Sequence, residues 1–389
     1  MSDTLASGKI DCSAQPLDIA FHPENPDIVI AGLVDGTLEV HNLPPKENNN
    51  NKKEINDDDN NNTESSNKDN DDDDDNDTIL ASISLERKKD KNDTQQKEKI
   101  PACRNSMFVS NNIICCSVGT DVCGLDVNRA CSLGGNEDSI VWRLSDAMNK
   151  NVQALHVLPQ EAFTGPSVLC VGDENGAIKL FDIRQCSNNN NNNNTIRKAC
   201  VHAWRNQEDY ISAFDNDSTG TTLLSTSADG TLAATDLRMM RQQSHNREGY
   251  LRLSDPQDDE LLSLQIIKNG RKVVCGTQDG VLAIWSWGTW GDVSDRFPGH
   301  PTSIDALLKY DENTVLTGSS DGVIRIVQIQ PDELLGVLGR THEHDYPIER
   351  LRFNSNKSYV ASISHDEYIR LWDIHDLMDD DDDDDDDND

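Results

Sequence analysis

The sequence predicts an all-β protein, a closed ring of seven four-stranded blades. Two observations carry most of that prediction. A short unit recurs along the 389 residues: an apolar run, a small or hydroxyl residue, an Asp-Gly turn, then a second apolar run. Its spacing is also right, with 50 residues from Gly230 to Gly280 and 42 from Gly280 to Gly322, close to the roughly 40–45 residues of a propeller blade. No convincing helical period competes with it.

In order, the units read IVIAGLVDGTLEVHNL (28–43), IICCSVGTDVCGLDV (113–127), VLCVGDENGAIKLFDIR (168–184), LLSTSADGTLAATDLR (223–238), VVCGTQDGVLAIWSW (273–287), VLTGSSDGVIRIVQI (315–329) and VASISHDEYIRLWDI (360–374). The second copy is the weakest, with Gly119-Thr120-Asp121 at its turn; the third has Asp-Glu-Asn-Gly and the seventh Asp-Glu-Tyr there. Two residues such as Asp-Gly between apolar runs predict a tight two-residue hairpin, because glycine accepts positive φ without a Cβ clash. An apolar stretch ahead of each hairpin, such as LDIAFHP (17–23) or SIDALLKY (303–310), supplies the innermost strand. One blade cannot bury both of its faces, so neighbours must stack into a ring.

Calling the strands a to d from the axis outwards, the hairpins are b–c turns. TILASISLER (78–87) and TIRKACVH (195–202) are then expected as d strands of blades one and three, and Val293 to Phe297 as that of blade five. Unit seven lacks a d strand, so residues around 8–14 are expected to close the ring. The propeller is assigned to 8–375, with a disordered insert at about 43–77, an Asn-rich loop at 187–194 and a disordered tail at 376–389. All three low-complexity segments follow a c strand and so leave from one face. They hold too little apolar surface to offset chain entropy.

The formal net charge is −35, unevenly spread: residues 46–99 hold 17 acids against 10 bases, and 376–389 hold 11 aspartates with no base. So acidic a chain is a poor direct nucleic-acid binder and favours basic protein partners. Met1 to Cys12 has no apolar signal core, and there is no run of 18 apolar residues, so neither secretion nor membrane spanning is expected. The ten cysteines show no C-x-x-C pair and are expected to be reduced, structural thiols. Phosphate loops, G-x-S-x-G and metal-ligand spacings are absent from the sequence. His342 and His344 (HEHD) fit loop or packing roles better than a metal. A non-enzyme without cofactor is expected.

Trp372-Asp373 after Asp366, Phe181-Asp182 after Asn175, Asp236 after Asp229, and Gly299-His300 ahead of Ile304 resemble the WD-repeat family. The resemblance implies a hydrogen-bonded tetrad in the last blade: His344, Ser362 or Ser364, Asp366 and Trp372. Elsewhere Val327, Thr235 and His41 replace the tryptophan. The stretch SWGTWGDVSDRFPGHPTSID, then TGSSDGVIRIVQIQPDELLGVLG and HDEYIRLWDI, is similar to the WD-repeat protein 55 family. That likeness implies a nuclear or nucleolar protein-binding scaffold for ribosomal RNA production and large-subunit assembly, monomeric within a larger complex. Members generally continue into Lys/Arg-rich sequence, whereas this chain runs into aspartates; its basic cluster, Arg87 to Lys91, is a weak import signal.

Candidate partner-binding residues come from two places. Trp285 stands six residues after Asp279, as Trp372 does after Asp366, and reads as blade packing. Trp290 and Arg296, beyond it, fit either blade packing or an interface hot spot. Phe181-Asp182-Ile183-Arg184 and Thr235-Asp236-Leu237-Arg238 resemble the W-D-x-R ending of cullin-4 ligase substrate receptors, which makes Asp182, Arg184, Asp236 and Arg238 an alternative adaptor site. A third expectation is an acidic chaperone for basic ribosomal proteins or histones, carried by Asp379 to Asp387.

Overall fold

The computed structural model describes residues 6–44, 78–86, 101–135, 137–159, 168–186, 193–240, 250–340 and 346–374. Seven four-stranded antiparallel sheets form the blades of a propeller. The b strands, such as Ile28–Leu33 and Thr314–Ser319, are buried along almost their whole length, because each lies between two neighbouring blades. The d strand of blade three, Cys200–Arg205, alternates instead and shows every second residue to solvent, as suits an outer edge.

The ring closes where expected. Gly8–Asp11 pairs antiparallel with the c strand of blade seven, Tyr368–Asp373, in the register Gly8 to Leu371 through Asp11 to Tyr368. Ser7 N donates to Leu371 O at 2.8 Å and Cys12 N to Glu367 O at 2.9 Å, extending the ladder at both ends. Ile10 is buried in the same cluster as Ile19, Val29, Leu33 and Ile369, so the first strand of the chain is packed between blades seven and one.

Three expectations are corrected. The stretch 195–202 is not one d strand: Asn193–Ala199 is helical, and the strand is Cys200–Arg205. Helix is also present in blade two, where Val127–Leu133 is capped by Asp126, whose side chain accepts from Arg129 N, and by Gly134 at φ 65°. Both helices fill c–d connections that a sheet period cannot report. Finally, the Asp-Gly turns are three-residue loops. In Val34-Asp35-Gly36 the glycine is third, at φ 80°, and Thr37 N donates to Asp35 Oδ1 at 2.9 Å. A left-handed glycine closes the loop, with aspartate holding it. Blade two instead turns on Gly119-Thr120, with Gly119 at φ 59° and Val118 paired to Asp121.

Glycines near the ends of the b strands let blades approach. A Cβ on Gly276 would lie 2.6 Å from Ile304 O of the next blade, and one on Gly318 2.5 Å from Ile348 Cγ2.

Candidate functional site

Bulges at the start of the a strands line a concave feature of the ring. In six blades the a–b register skips one residue: Leu17, Arg104, Gln153, Ser212, Leu262 and Asp305. A bulge re-aims the side chain it leaves unpaired. Five of these six line one cavity of about 180 Å³, together with Tyr210, Ile211, Glu349 and Arg350. Because the a strands begin there, the cavity opens around the axis on the face that carries the b–c turns. Sequence reading missed it: one extra residue in a short apolar strand leaves no periodic signal.

The cavity wall is charged in a set pattern. Asp305 Oδ2 accepts from Ser320 Oγ at 2.6 Å and Ser303 Oγ at 3.0 Å. Burial nevertheless dominates and raises its carboxyl above the ordinary range. Tyr210 OH donates to Glu260 Oε2 at 3.2 Å, and burial beside that carboxylate pushes the phenol up to about 12. Glu349 Oε1 lies 2.7 Å from His365 Nε2. Arg104 is exposed and lines the same cavity from blade two, and Arg350 Nη1 donates to Glu349 O at 2.8 Å. Cation and carboxylate therefore stand on one rim, suited to a zwitterionic peptide segment more than to a uniform polyanion.

On the opposite face, the two D-x-R motifs adopt one geometry. Arg184 Nε and Nη2 donate to Asp182 at 2.9 and 2.8 Å; Arg238 Nε and Nη2 donate to Asp236 at 3.0 and 2.7 Å. The arginine in each holds its aspartate below the usual carboxylate range. The guanidinium groups stay accessible, with side chains 46% and 67% exposed. Phe181, at the tryptophan position of the first motif, is buried.

The tryptophan cluster divides. Trp285 is fully buried, whereas Trp287 and Trp290 pack edge to face at 5.0 Å and lean on the Trp285 cluster. Arg296 is exposed and donates to Gln257 Oε1 of the preceding connection at 2.7 Å. The structure brings Trp290 to the blade core and leaves Arg296 outside it.

Three of the four expected tetrad residues are described. Trp372 Nε1 donates to Ser362 Oγ at 2.8 Å, while Ser364 Oγ donates to Pro347 O; Ser362 is the partner. Asp366 accepts from Arg370. His344 lies outside the described residues. In blade six His300 Nε2 is 2.8 Å from Thr317 Oγ1, and Asp321 is bridged by Arg325. By register His41, Val327 and Trp372 occupy one position, Glu39, Arg325 and Arg370 a second, and Ala31, Thr317 and Ser362 a third. Blade one thus carries Cys12, Glu39 and His41 close together where other blades carry tetrad elements.

The WDR55 family model matches residues 74–377. The chain belongs to the WDR55 family. It is 30% identical over 374 residues to the Arabidopsis thaliana WD repeat-containing protein 55, covering 95% of this chain and 84% of that protein. A Cryptococcus neoformans relative, WD repeat-containing protein JIP5, is 38% identical over 55% of this chain and 52% of its own length, and a Dictyostelium discoideum WD repeat-containing protein 55 homolog is 31% identical over 70% and 58%. The chain therefore spans about half the length of the fungal relative. Chaetomium thermophilum Raptor shares the propeller fold alone, at a TM-score of 0.66 and 12% identity, covering 96% of this chain and 29% of that one.

Proposed function

We propose that this WDR55-family propeller is a non-catalytic protein-interaction scaffold in nuclear or nucleolar ribosome biogenesis. The observation that carries the scaffold reading is the axial cavity, whose wall is built from five bulged a-strand residues with charges of both signs. Such a rim recognises a peptide segment by placed charges. The family resemblance supports the ribosomal assignment. Charge reversal at Arg104, an exposed rim residue, is the direct test. It should remove assembly-factor partners from affinity purifications and raise ribosomal RNA precursors while leaving the melting temperature unchanged. Unaltered partners and precursors would count against it.

The paired D-x-R geometry favours a second reading, a substrate receptor of a cullin-4 ligase. Two locked, accessible guanidinium groups on adjacent blades suit one adaptor surface. Reversing Arg184 and Arg238 together should abolish adaptor pull-down; retention of the adaptor would exclude this reading. The acidic-chaperone expectation rests on Asp379 to Asp387, which lie outside the described residues.

A further inference from the structure

We propose that Cys12, Glu39 and His41 form a zinc site that anchors the ring-closing strand to blade one. The three side chains are buried, and their ligand atoms lie within 4.8 Å of one another. Cys12 Sγ is 3.9 Å from His41 Nε2, and Glu39 Oε2 is 3.1 Å from the same nitrogen. Ordinary zinc bond lengths at the tetrahedral angle place sulfur and nitrogen ligands about 3.6 Å apart, and nitrogen and oxygen ligands about 3.4 Å apart. Shifts of a few tenths of an ångström therefore convert the observed spacing into a coordination sphere.

The direction of the contacts separates this arrangement from a nucleophile relay. In a relay the acid orients the imidazole through one nitrogen while the thiol faces the other. Here thiol and carboxylate converge on Nε2, and Nδ1 has no hydrogen-bond partner. Three donors pointing at one locus make a chelate. Ser13 N donates to Glu39 Oε2 at 3.2 Å and fixes the carboxylate, as an outer-sphere group does.

Charge points the same way. A carboxylate as buried as Glu39 favours a cation beside it. Asp11, Asp366 and Glu367 add negative potential at the thiol. Softness decides the metal: a thiolate, an imidazole and one carboxylate suit zinc and disfavour magnesium or calcium. On binding, the Cys12 S–H bond breaks as the S–Zn bond forms, and one proton leaves to solvent. His41 would bind through Nε2, which leaves its ring proton on Nδ1. With three protein ligands and no acceptor for Nδ1, the affinity should fall below that of a four-cysteine site.

Cobalt(II) reports thiolate coordination directly. Titrated into the reduced, metal-free full chain, it should give a near-ultraviolet sulfur-to-cobalt band that saturates at one ion per chain and disappears on adding zinc. Cys12→Ser should abolish the band, whereas Cys131→Ser, remote from the cluster, should retain it. Glu39→Gln, which preserves shape, should weaken cobalt binding at least tenfold and serves if Cys12→Ser does not fold. Zinc should raise the melting temperature of the wild type and leave that of the variants unmoved. Absence of the band in the wild type, or an equal band in Cys12→Ser, overturns the proposal.

Discussion

Trp372 donates its indole N–H to Ser362 Oγ at 2.8 Å, one strand away in the same blade. In blade five Trp285 occupies the same register, but Cys275 stands where Ser362 does, and the Trp285 N–H has no partner. Cys275→Ser should supply an acceptor and add about 1 kcal/mol, while Ser362→Ala should cost about 1–2 kcal/mol by orphaning a buried donor. Urea melts of the two variants check both signs.

His300 predicts an acid-sensitive component of stability. Burial, reinforced by the nearby Arg325 charge, lowers its pKa to about 4 from the ordinary 6.5. A histidine depressed on folding stabilises fully above pH 6.5 and loses that contribution as pH falls from there towards 4. The change should reach about 2 kcal/mol at the acid end. Unfolding free energies at pH 7 and pH 4.5 should diverge more in the wild type than in His300→Gln.

Gly276 should not tolerate a side chain. Its Cβ would meet the Ile304 carbonyl oxygen of the next blade at 2.6 Å, a backbone atom that cannot rotate away. Gly276→Ala should destabilise by about 2–3 kcal/mol through overpacking. Gly270→Ala, where nothing lies within 4 Å but φ is 75°, should cost about 1 kcal/mol through backbone strain alone. Thermal denaturation of the pair ranks the two effects.

Closure by Gly8–Asp11 predicts complementation. Removing residues 1–11 exposes the ladder of Tyr368–Asp373 and the apolar surface under Ile10, so the truncated chain should melt earlier and aggregate. A synthetic peptide of residues 6–14 should restore the melting temperature, whereas the same peptide carrying Ile10→Asp should not. Failure of the unmodified peptide to rescue would deny the strand its closing role.

The ring and its closure were legible in the repeats because seven copies of one apolar pattern leave a single way to bury both faces of each blade. The D-x-R motifs were legible as residues, but their locked ion pairs needed the turn that follows each c strand. Trp285 was placed correctly in packing; its missing partner was invisible, since it depends on which residue faces it across the sheet. The axial cavity was hidden altogether, because a bulge shifts one residue without changing composition. The short helices Val127–Leu133 and Asn193–Ala199 lie in connections too brief to show a helical period.

By itself the sequence determined the architecture: local propensity, turn glycines and a repeat of blade length all favour the same closed ring, and no long-range information is needed to choose it. Tertiary structure alone decided where chemistry gathers. Arg104 and Asp305 reach one cavity from strands about 200 residues apart, and Cys12, Glu39 and His41 converge because the first strand of the chain must pair with the last blade. Such meetings follow from ring closure, which brings together residues that no linear spacing relates.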